Sequence, residues 1–441
     1  MPFCGLLLKI MSTWLPDLIY VDGRFQSGRA VVCDSAGKIV EITESPTDAI
    51  RLSGRAMLPG MVNAHSHAFQ RVIRGRTEHR SQHSTDSFWT WREQMYAAAN
   101  TLEPDDLYAV SRLAFLEMAL TGITAVGEFH YIHHSRDGAP YADPNLLERE
   151  VIRAARDVGI RIALLRVAYA RAGYQTDPNP QQVRFIEDSP ERYLKNLEQL
   201  LDVKDDMTWI GVAPHSVRAV PLDYLKTIVA FANERALPVH MHVAEQPAEV
   251  DACIAEYGRS PVALLETEGL LSKRFTAVHA IHVTSKDVAS LARNGALVCA
   301  CPTTERNLGD GIVPADAYFD AGVRISLGTD SQIQIDLLED ARELEYHLRL
   351  QKMERNVLEP MLAQRLFDCA TVNGAASVGF DGGRIAAGAP ADFFTVDLND
   401  PSIAGAAVDD LLTNIVFSLS RAAVRDVIVA GRRIIEDGNH G

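Results

Sequence analysis

Between residues 57 and 328, apolar runs of strand length recur at 57–64, 125–131, 161–169, 209–213, 237–244, 275–283, 296–300 and 323–328. Most of the intervals hold helix-length amphipathic segments. In 107–120 the apolar residues Leu107, Val110, Ala114 and Met118 share one helical face, and 193–201 and 222–233 follow the same period. Eight strands alternating with helices predict an α/β fold, a (β/α)8 TIM-type barrel over residues 58–376. A doubly wound sheet is the alternative. It lacks its usual marks, because no GxGxxG follows a strand and no GxxxxGKS/T occurs.

Outside that span the period changes to short strands and turns. Runs at 18–21, 30–33 and 38–42 are punctuated by Asp22-Gly23 and Gly37. The far end repeats the pattern at 392–397, 424–431 and 432–436. A small β-sandwich domain built from both chain ends, residues 12–57 plus 377–441, is the economical reading; it brings the termini together beside one continuous catalytic domain.

Composition narrows the function classes. The 441 residues are 47% hydrophobic, which permits a large core. Lys+Arg 43 against Asp+Glu 58 gives a net charge of −15, which argues against nucleic acid as a partner. A small anionic substrate remains possible, because one or two local arginines outweigh a global charge. The arginines of 71–80 read as a solvated segment. The six cysteines are scattered with no CxxC pair, as expected of reduced thiols in a cytoplasmic protein. Cys299 and Cys301 read as small buried hydrophobes rather than ligands. No apolar run approaches the ~18 residues of a membrane span, so no membrane partner is expected. The first ten residues lack a basic start and a cleavage site, so they do not read as a signal peptide, and Met11 is an alternative start.

Candidate chemistry collects where a barrel holds its catalytic groups, at the C-terminal ends of strands. Strand one ends in His65-Ser-His67, and i, i+2 side chains point the same way. Strand five ends in His240-Met-His242-Val-Ala-Glu245, strand six carries His279, and strand eight ends in Gly328-Thr-Asp330. Any one histidine alone reads as a core residue; metal-type ligands on four of the eight strand ends read as a site. His65, His67, His242 and Asp330 suit one Zn2+, or another divalent metal such as Fe2+, with one position left for water. Such an ion lowers the pKa of a bound water towards ~7. Asp330 then accepts the water's proton, Glu245 protonates a leaving nitrogen, and His279 hydrogen-bonds the nucleophile or the developing charge. Strand four ends Ala213-Pro-His215-Ser with no lysine, the residue that a bridged two-metal site of this architecture uses, so one metal is expected.

These residues resemble the amidohydrolase superfamily, specifically its mononuclear deaminase branch. The resemblance runs from residue 12 almost to the end, through Leu58-Pro-Gly-Met-Val-Asn-Ala-His65-Ser-His67, His240-Met-His-Val-Ala-Glu245, the loop from Cys301 to Gly311, Gly328-Thr-Asp-Ser331 and the stretch from Gly383 to Asp392. Longer aromatic-rich motifs resemble the formimidoylglutamate deiminases: Ser66-His-Ala-Phe-Gln-Arg71, Asp86-Ser-Phe-Trp-Thr-Trp-Arg-Glu93, Gly127-Glu-Phe-His-Tyr-Ile-His-His134 and Ala213-Pro-His-Ser-Val-Arg218. The resemblance implies hydrolysis of N-formimino-L-glutamate to N-formyl-L-glutamate and ammonia, a step of histidine degradation. It implies Gln70, Tyr131, His215 and Arg218 as substrate-binding residues, with Arg92 reaching a substrate carboxylate in its own or a neighbouring subunit. The planar fork of Arg218 suits a dicarboxylate substrate. The segment around Phe88 and Trp91 would suit the interface of a homodimer. His130, His133 and His134 read as loop structure around Tyr131 rather than a second metal site. One departure is Gln332, where the resemblance leads one to expect a histidine; it predicts a change in pocket polarity. Two rivals stay open: a deaminase acting on another amidine or on a purine, pterin or triazine ring, and a non-catalytic metal-binding protein.

Overall fold

The computed structural model describes residues 10–44, 46, 48–78 and 87–441, with Ile10 and Met11 as backbone only. The reading of the first nine residues, Cys4, Asp86 and the end of the arginine-rich segment lie outside the described residues. The centre of the chain forms eight parallel strands, β1 (Met61–Ser66), β2 (Ile123–His130), β3 (Arg161–Ala168), β4 (Thr208–Pro214), β5 (Val239–Val243), β6 (Phe275–His279), β7 (Leu297–Ala300) and β8 (Ile325–Leu327). They pair in sequence order from β1 to β8. A single parallel bridge between Ser66 and Asp330 brings the last strand back to the first. The expected (β/α)8 barrel is therefore present. Nearly every strand residue is buried, as parallel staves covered by helices must be.

Helix starts follow local chemistry. The helix expected at 193–201 is Pro190–Leu200, because Ser189 caps it and Pro190 stands in its first turn. That expected at 107–120 begins at Pro104 for the same proline reason. Two strand expectations shift. The run 57–64 is divided between two sheets, Ile50–Pro59 in one and β1 in the other. Gly60 sits at the break, where a Cβ would lie 2.2 Å from the Thr124 hydroxyl oxygen. The run 275–283 stops at His279, because His279 and Ala280 turn to φ of +67° and +49° and leave the strand.

The two chain ends share a second, nine-stranded and mostly antiparallel sheet. Ile50–Pro59 lies at its middle, parallel to Ile10–Val21 and antiparallel to Phe393–Asp397. One buried ion pair ties it to the barrel: Arg161 of β3 grips Asp392 through Nε and Nη2 at 2.6 and 3.0 Å. Removing one partner of such a pair costs ~3–5 kcal/mol. No helix among the described residues is long and apolar enough to cross a membrane.

Candidate active site

Every predicted metal ligand comes from the C-terminal end of a barrel strand or the turn after it. The ligand atoms of His65, His67, His242 and Asp330 lie within 4.8 Å of one another, and all four residues are buried. His65 Nε2 is 3.2 Å from Nε2 of both His67 and His242. Asp330 Oδ1 is 3.2 Å from His67 Nε2 and 3.4 Å from His65 Nε2. Zinc–ligand bonds of ~2.0–2.2 Å put the corners of a tetrahedron ~3.3–3.6 Å apart, so these atoms are spaced for one ion. The protonation states agree. His67 Nδ1 is 2.8 Å from the Phe129 carbonyl and His242 Nδ1 is 3.2 Å from the His215 carbonyl. Donating there turns the Nε2 lone pairs inward. Burial pushes His65 down to about 3, and burial together with the neighbouring histidines holds His242 well below its ordinary value. Burial acts to raise Asp330, but its bonds with His65 and His67 outweigh it and hold the carboxyl well below the usual range. Lone pairs and a carboxylate converging in a buried space repel one another until a cation joins them. The donor set fits a single divalent ion.

The groups expected to handle protons flank this cluster. His279 Nε2 lies 3.6 Å from Glu245 Oε1 and 3.8 Å from Asp330 Oδ2. On its other side His279 Nδ1 meets Glu305 Oε1 at 3.1 Å. Burial disfavours a charged imidazole here, but Glu245, Glu305 and Asp330 together outweigh it and raise His279 well above its ordinary value. Burial raises Glu245, with His279 pulling the other way and Asp330 adding to burial. A carboxyl raised in this way is a candidate proton donor. Ala244, His279, Ala280, Asp330 and Gln332 all have positive φ. Such strain costs ~1–3 kcal/mol per residue and concentrates at functional sites.

Above the cluster opens a cleft of about 520 Å³, including its mouth. His67, Gln70, Arg92, Tyr131, His215, Arg218, His242, Glu245, His279 and Asp330 all line it, so it brings together every predicted site residue except His65, which lies beneath. Gln70 Nε2 donates to the Tyr131 hydroxyl at 2.9 Å. Arg218 Nη1 donates to the Ala172 carbonyl at 2.8 Å and faces the Tyr169 hydroxyl at 3.4 Å. No carboxylate of the described residues lies within ion-pair distance of Arg218 or Arg92. Arg92 Nε and Nη1 are buried without a partner, beneath a Trp89 ring 4.4 Å away. Arg92 reaches the cleft of its own chain.

Three contributors went unassigned from sequence. Tyr169, just beyond the end of β3, packs its ring 4.6 Å from that of His215; the strand-end filter applied to the run 161–169 would have found it. Glu305 belongs to the short helix Pro302–Leu308 that follows β7. Glu128 of β2 accepts from Ser66 Oγ at 2.5 Å and Ala68 N at 2.7 Å, and burial pushes it up to about 7. Only long-range packing reveals the last two. In the histidine trio, His130 closes β2 and His133 and His134 follow it; each places Nε2 within 2.9 Å of a backbone carbonyl. His133 Nδ1 meets Glu148 Oε1 at 2.7 Å, so that His130, His133 and Glu148 form a second buried group with ligand-type atoms within 4.8 Å of one another. Cys33, Cys253, Cys299, Cys301 and Cys369 are free and buried. Gln332 does not line the cleft, contrary to the expectation that it would change the polarity there.

Comparison with known proteins finds relatives along nearly the whole chain. A formimidoylglutamate deiminase of Pseudomonas aeruginosa is 41% identical over 411 residues, 92% of this chain and 90% of that protein. The crystal structure of an amidohydrolase from Brucella melitensis superposes with a TM-score of 0.88 at 36% identity, covering 98% of this chain and 96% of that one. An adenosine deaminase from Xanthomonas campestris, solved with bound zinc, shares the fold at a TM-score of 0.83 and 23% identity, over 97% of this chain and 94% of that one. Residues 56–434 match the profile of the Amidohydrolase family. The chain belongs to the amidohydrolase family and is a hydrolase acting on C–N bonds.

Proposed function

We propose that the protein deiminates N-formimino-L-glutamate, giving N-formyl-L-glutamate and ammonia, with one divalent metal, zinc by preference, held by His65, His67, His242 and Asp330. The observation that carries this reading is the pair of guanidinium groups on the cleft wall. Arg218 and Arg92 face the cleft without a carboxylate partner among the described residues, while the ligand cluster occupies its floor. Two desolvated cations need anions, and a dicarboxylate supplies two. A flat neutral ring supplies none, which disfavours purine, pterin and triazine substrates. The 41% identity to a formimidoylglutamate deiminase supports the same substrate.

The bound cation would lower the pKa of water towards ~7 and polarise the electrophile. Asp330, a carboxylate at the cluster, takes the proton of the attacking water. Water oxygen bonds to the formimino carbon. Glu245 delivers a proton to the imino nitrogen, which becomes an amino group as the C=N bond becomes single. The proton taken by Asp330 then passes to that amino group while the new hydroxyl returns its proton to the Glu245 carboxylate, so that the C–N bond breaks, the formyl C=O forms and ammonia leaves. His279, with Nδ1 anchored on Glu305, presents Nε2–H to the oxygen as charge develops there. Arg218, Arg92, His215, Tyr131 and Gln70 orient the carboxylates and backbone of the substrate. The intact Glu245, His279 and Asp330 set is more than a non-catalytic metal site needs. Glu245→Gln tests the role of the acid: turnover should fall at least ~100-fold, the usual scale for removing a general acid, with metal content unchanged. Near-normal turnover would remove Glu245 from the mechanism.

A further inference from the structure

The barrel is least continuous where its metal ligands meet. β1 carries His65, His67 stands just past its end, and Asp330 follows β8, yet the two strands share one bridge instead of a ladder. Two backbone bonds make that bridge, Asp330 N to the His65 carbonyl and His67 N to the Asp330 carbonyl, both 3.0 Å. Beside it runs a chain of buried side-chain hydrogen bonds. Asn63 of β1 donates to Thr329 Oγ1 at 2.7 Å and accepts from Thr329 N at 3.0 Å. Thr329 Oγ1 donates to Gln332 Oε1 at 2.9 Å. Gln332 Nε2 donates to Ser66 Oγ at 2.8 Å and to the Asp330 carbonyl at 3.0 Å. Ser66 Oγ in turn donates to Glu128 Oε2. Every polar atom of the Gln332 amide is thus used, and each bond runs to a residue that is, or adjoins, a metal ligand. Gln332 is fully buried and its backbone is left-handed at φ +62°, as is that of Asp330 at +45°.

We infer that Gln332 is a positioning residue for the metal: its carboxamide clamps the β8–β1 seam and sets the distance from Asp330 to His65 and His67, rather than selecting the substrate. A seam joined by one bridge has no ladder to fix its register. A planar amide with two donors and an acceptor spans the three groups in one fixed geometry. If the clamp is lost, the strained Asp330 turn relaxes and the ligand oxygen leaves its place 3.2–3.4 Å from the imidazoles. This inference rests on the metal assignment proposed above, but not on the identity of the substrate.

The test is zinc affinity. Metal-free protein is titrated with Zn2+ against a chromogenic chelator, for wild type, Gln332→Met and Gln332→Glu. Met keeps the length and removes all three bonds; Glu keeps the shape and places acceptors where the amide donates. The expected result is a zinc dissociation constant raised roughly 10- to 100-fold in both variants, the scale for groups that orient ligands. At saturating zinc, KM for N-formimino-L-glutamate should stay within about twofold of wild type while kcat falls. Unchanged zinc affinity with a raised KM would overturn the inference and return Gln332 to the substrate pocket. Wild-type protein that binds no zinc would instead overturn the metal assignment itself. If Gln332→Met fails to fold, Thr329→Val removes the bond to the Gln332 carbonyl and should still weaken zinc binding; unchanged affinity there also overturns the clamp.

Discussion

Replacing Arg218 with methionine removes a charge while keeping most of the volume of the side chain. In the structure Arg218 spends Nη1 on the Ala172 carbonyl and Tyr169, and its Nε and Nη2 meet no acceptor among the described residues. That free edge is available for a two-point grip on a carboxylate. Truncating one partner of a buried, hydrogen-bonded charge pair costs ~2–5 kcal/mol. At ~1.36 kcal/mol per tenfold, kcat/KM should fall roughly 30- to 5000-fold. The loss should appear mostly in KM, because the carboxylate is remote from the reacting carbon and is held equally in ground and transition states. The assay is steady-state ammonia release from N-formimino-L-glutamate and from two analogues, one lacking the α-carboxylate and one with the side-chain carboxylate as its amide. If Arg218 grips a carboxylate, the penalty of Arg218→Met shrinks to within about threefold for the analogue lacking that group, since variant and analogue delete the same interaction. An equal penalty on all three substrates would refute the reasoning and make Arg218 a packing residue.

Two further predictions concern the frame of the site. A Cβ added at Gly328 would lie 2.7 Å from the His65 Cβ and 2.8 Å from its carbonyl oxygen, so Gly328→Ala should cost ~1–3 kcal/mol in urea unfolding and weaken zinc binding; wild-type values for both would contradict the seam geometry. The second concerns the buried charges under β3. Burial acts to raise Glu148 and Glu187, but Arg166, with His133 beside it, outweighs burial and holds both down to about 2. A carboxyl depressed from 4.5 in this way stabilises the fold fully above pH ~4.5 and loses that contribution as pH falls towards ~2, at most ~3 kcal/mol per group. Unfolding free energy followed by circular dichroism from pH 5 towards pH ~2.5 should therefore fall less steeply in Glu187→Gln than in wild type; superimposable slopes would rule out the depression.

The barrel and its cluster of candidate ligands were legible because their signals are local. Parallel staves are continuous apolar runs, and the ligands follow those runs within a few residues, so strand ends alone located His67, His242 and Asp330. What was illegible is set by distance in sequence. Gly60 divides one apolar run between two sheets because of Thr124, which is far along the chain. Glu305 meets His279 from the short helix Pro302–Leu308 that follows β7, a contact across 26 residues of sequence. Gln332 read as a pocket residue because it follows Asp330 and Ser331; its left-handed backbone turns its amide into the seam instead. Periodicity predicts which face is buried, but not which buried polar groups will find one another.

The most direct test of the account is ammonia release by zinc-loaded protein from N-formimino-L-glutamate, beside purines, pterins, triazines and other formimino amino acids. The account predicts one ammonia for each N-formyl-L-glutamate formed, with formiminoglutamate strongly preferred, and activity lost on chelation and restored by zinc. Zinc-bound protein that leaves formiminoglutamate intact while releasing ammonia from a neutral ring would contradict it, and would show that Arg218 and Arg92 are not there to receive two carboxylates.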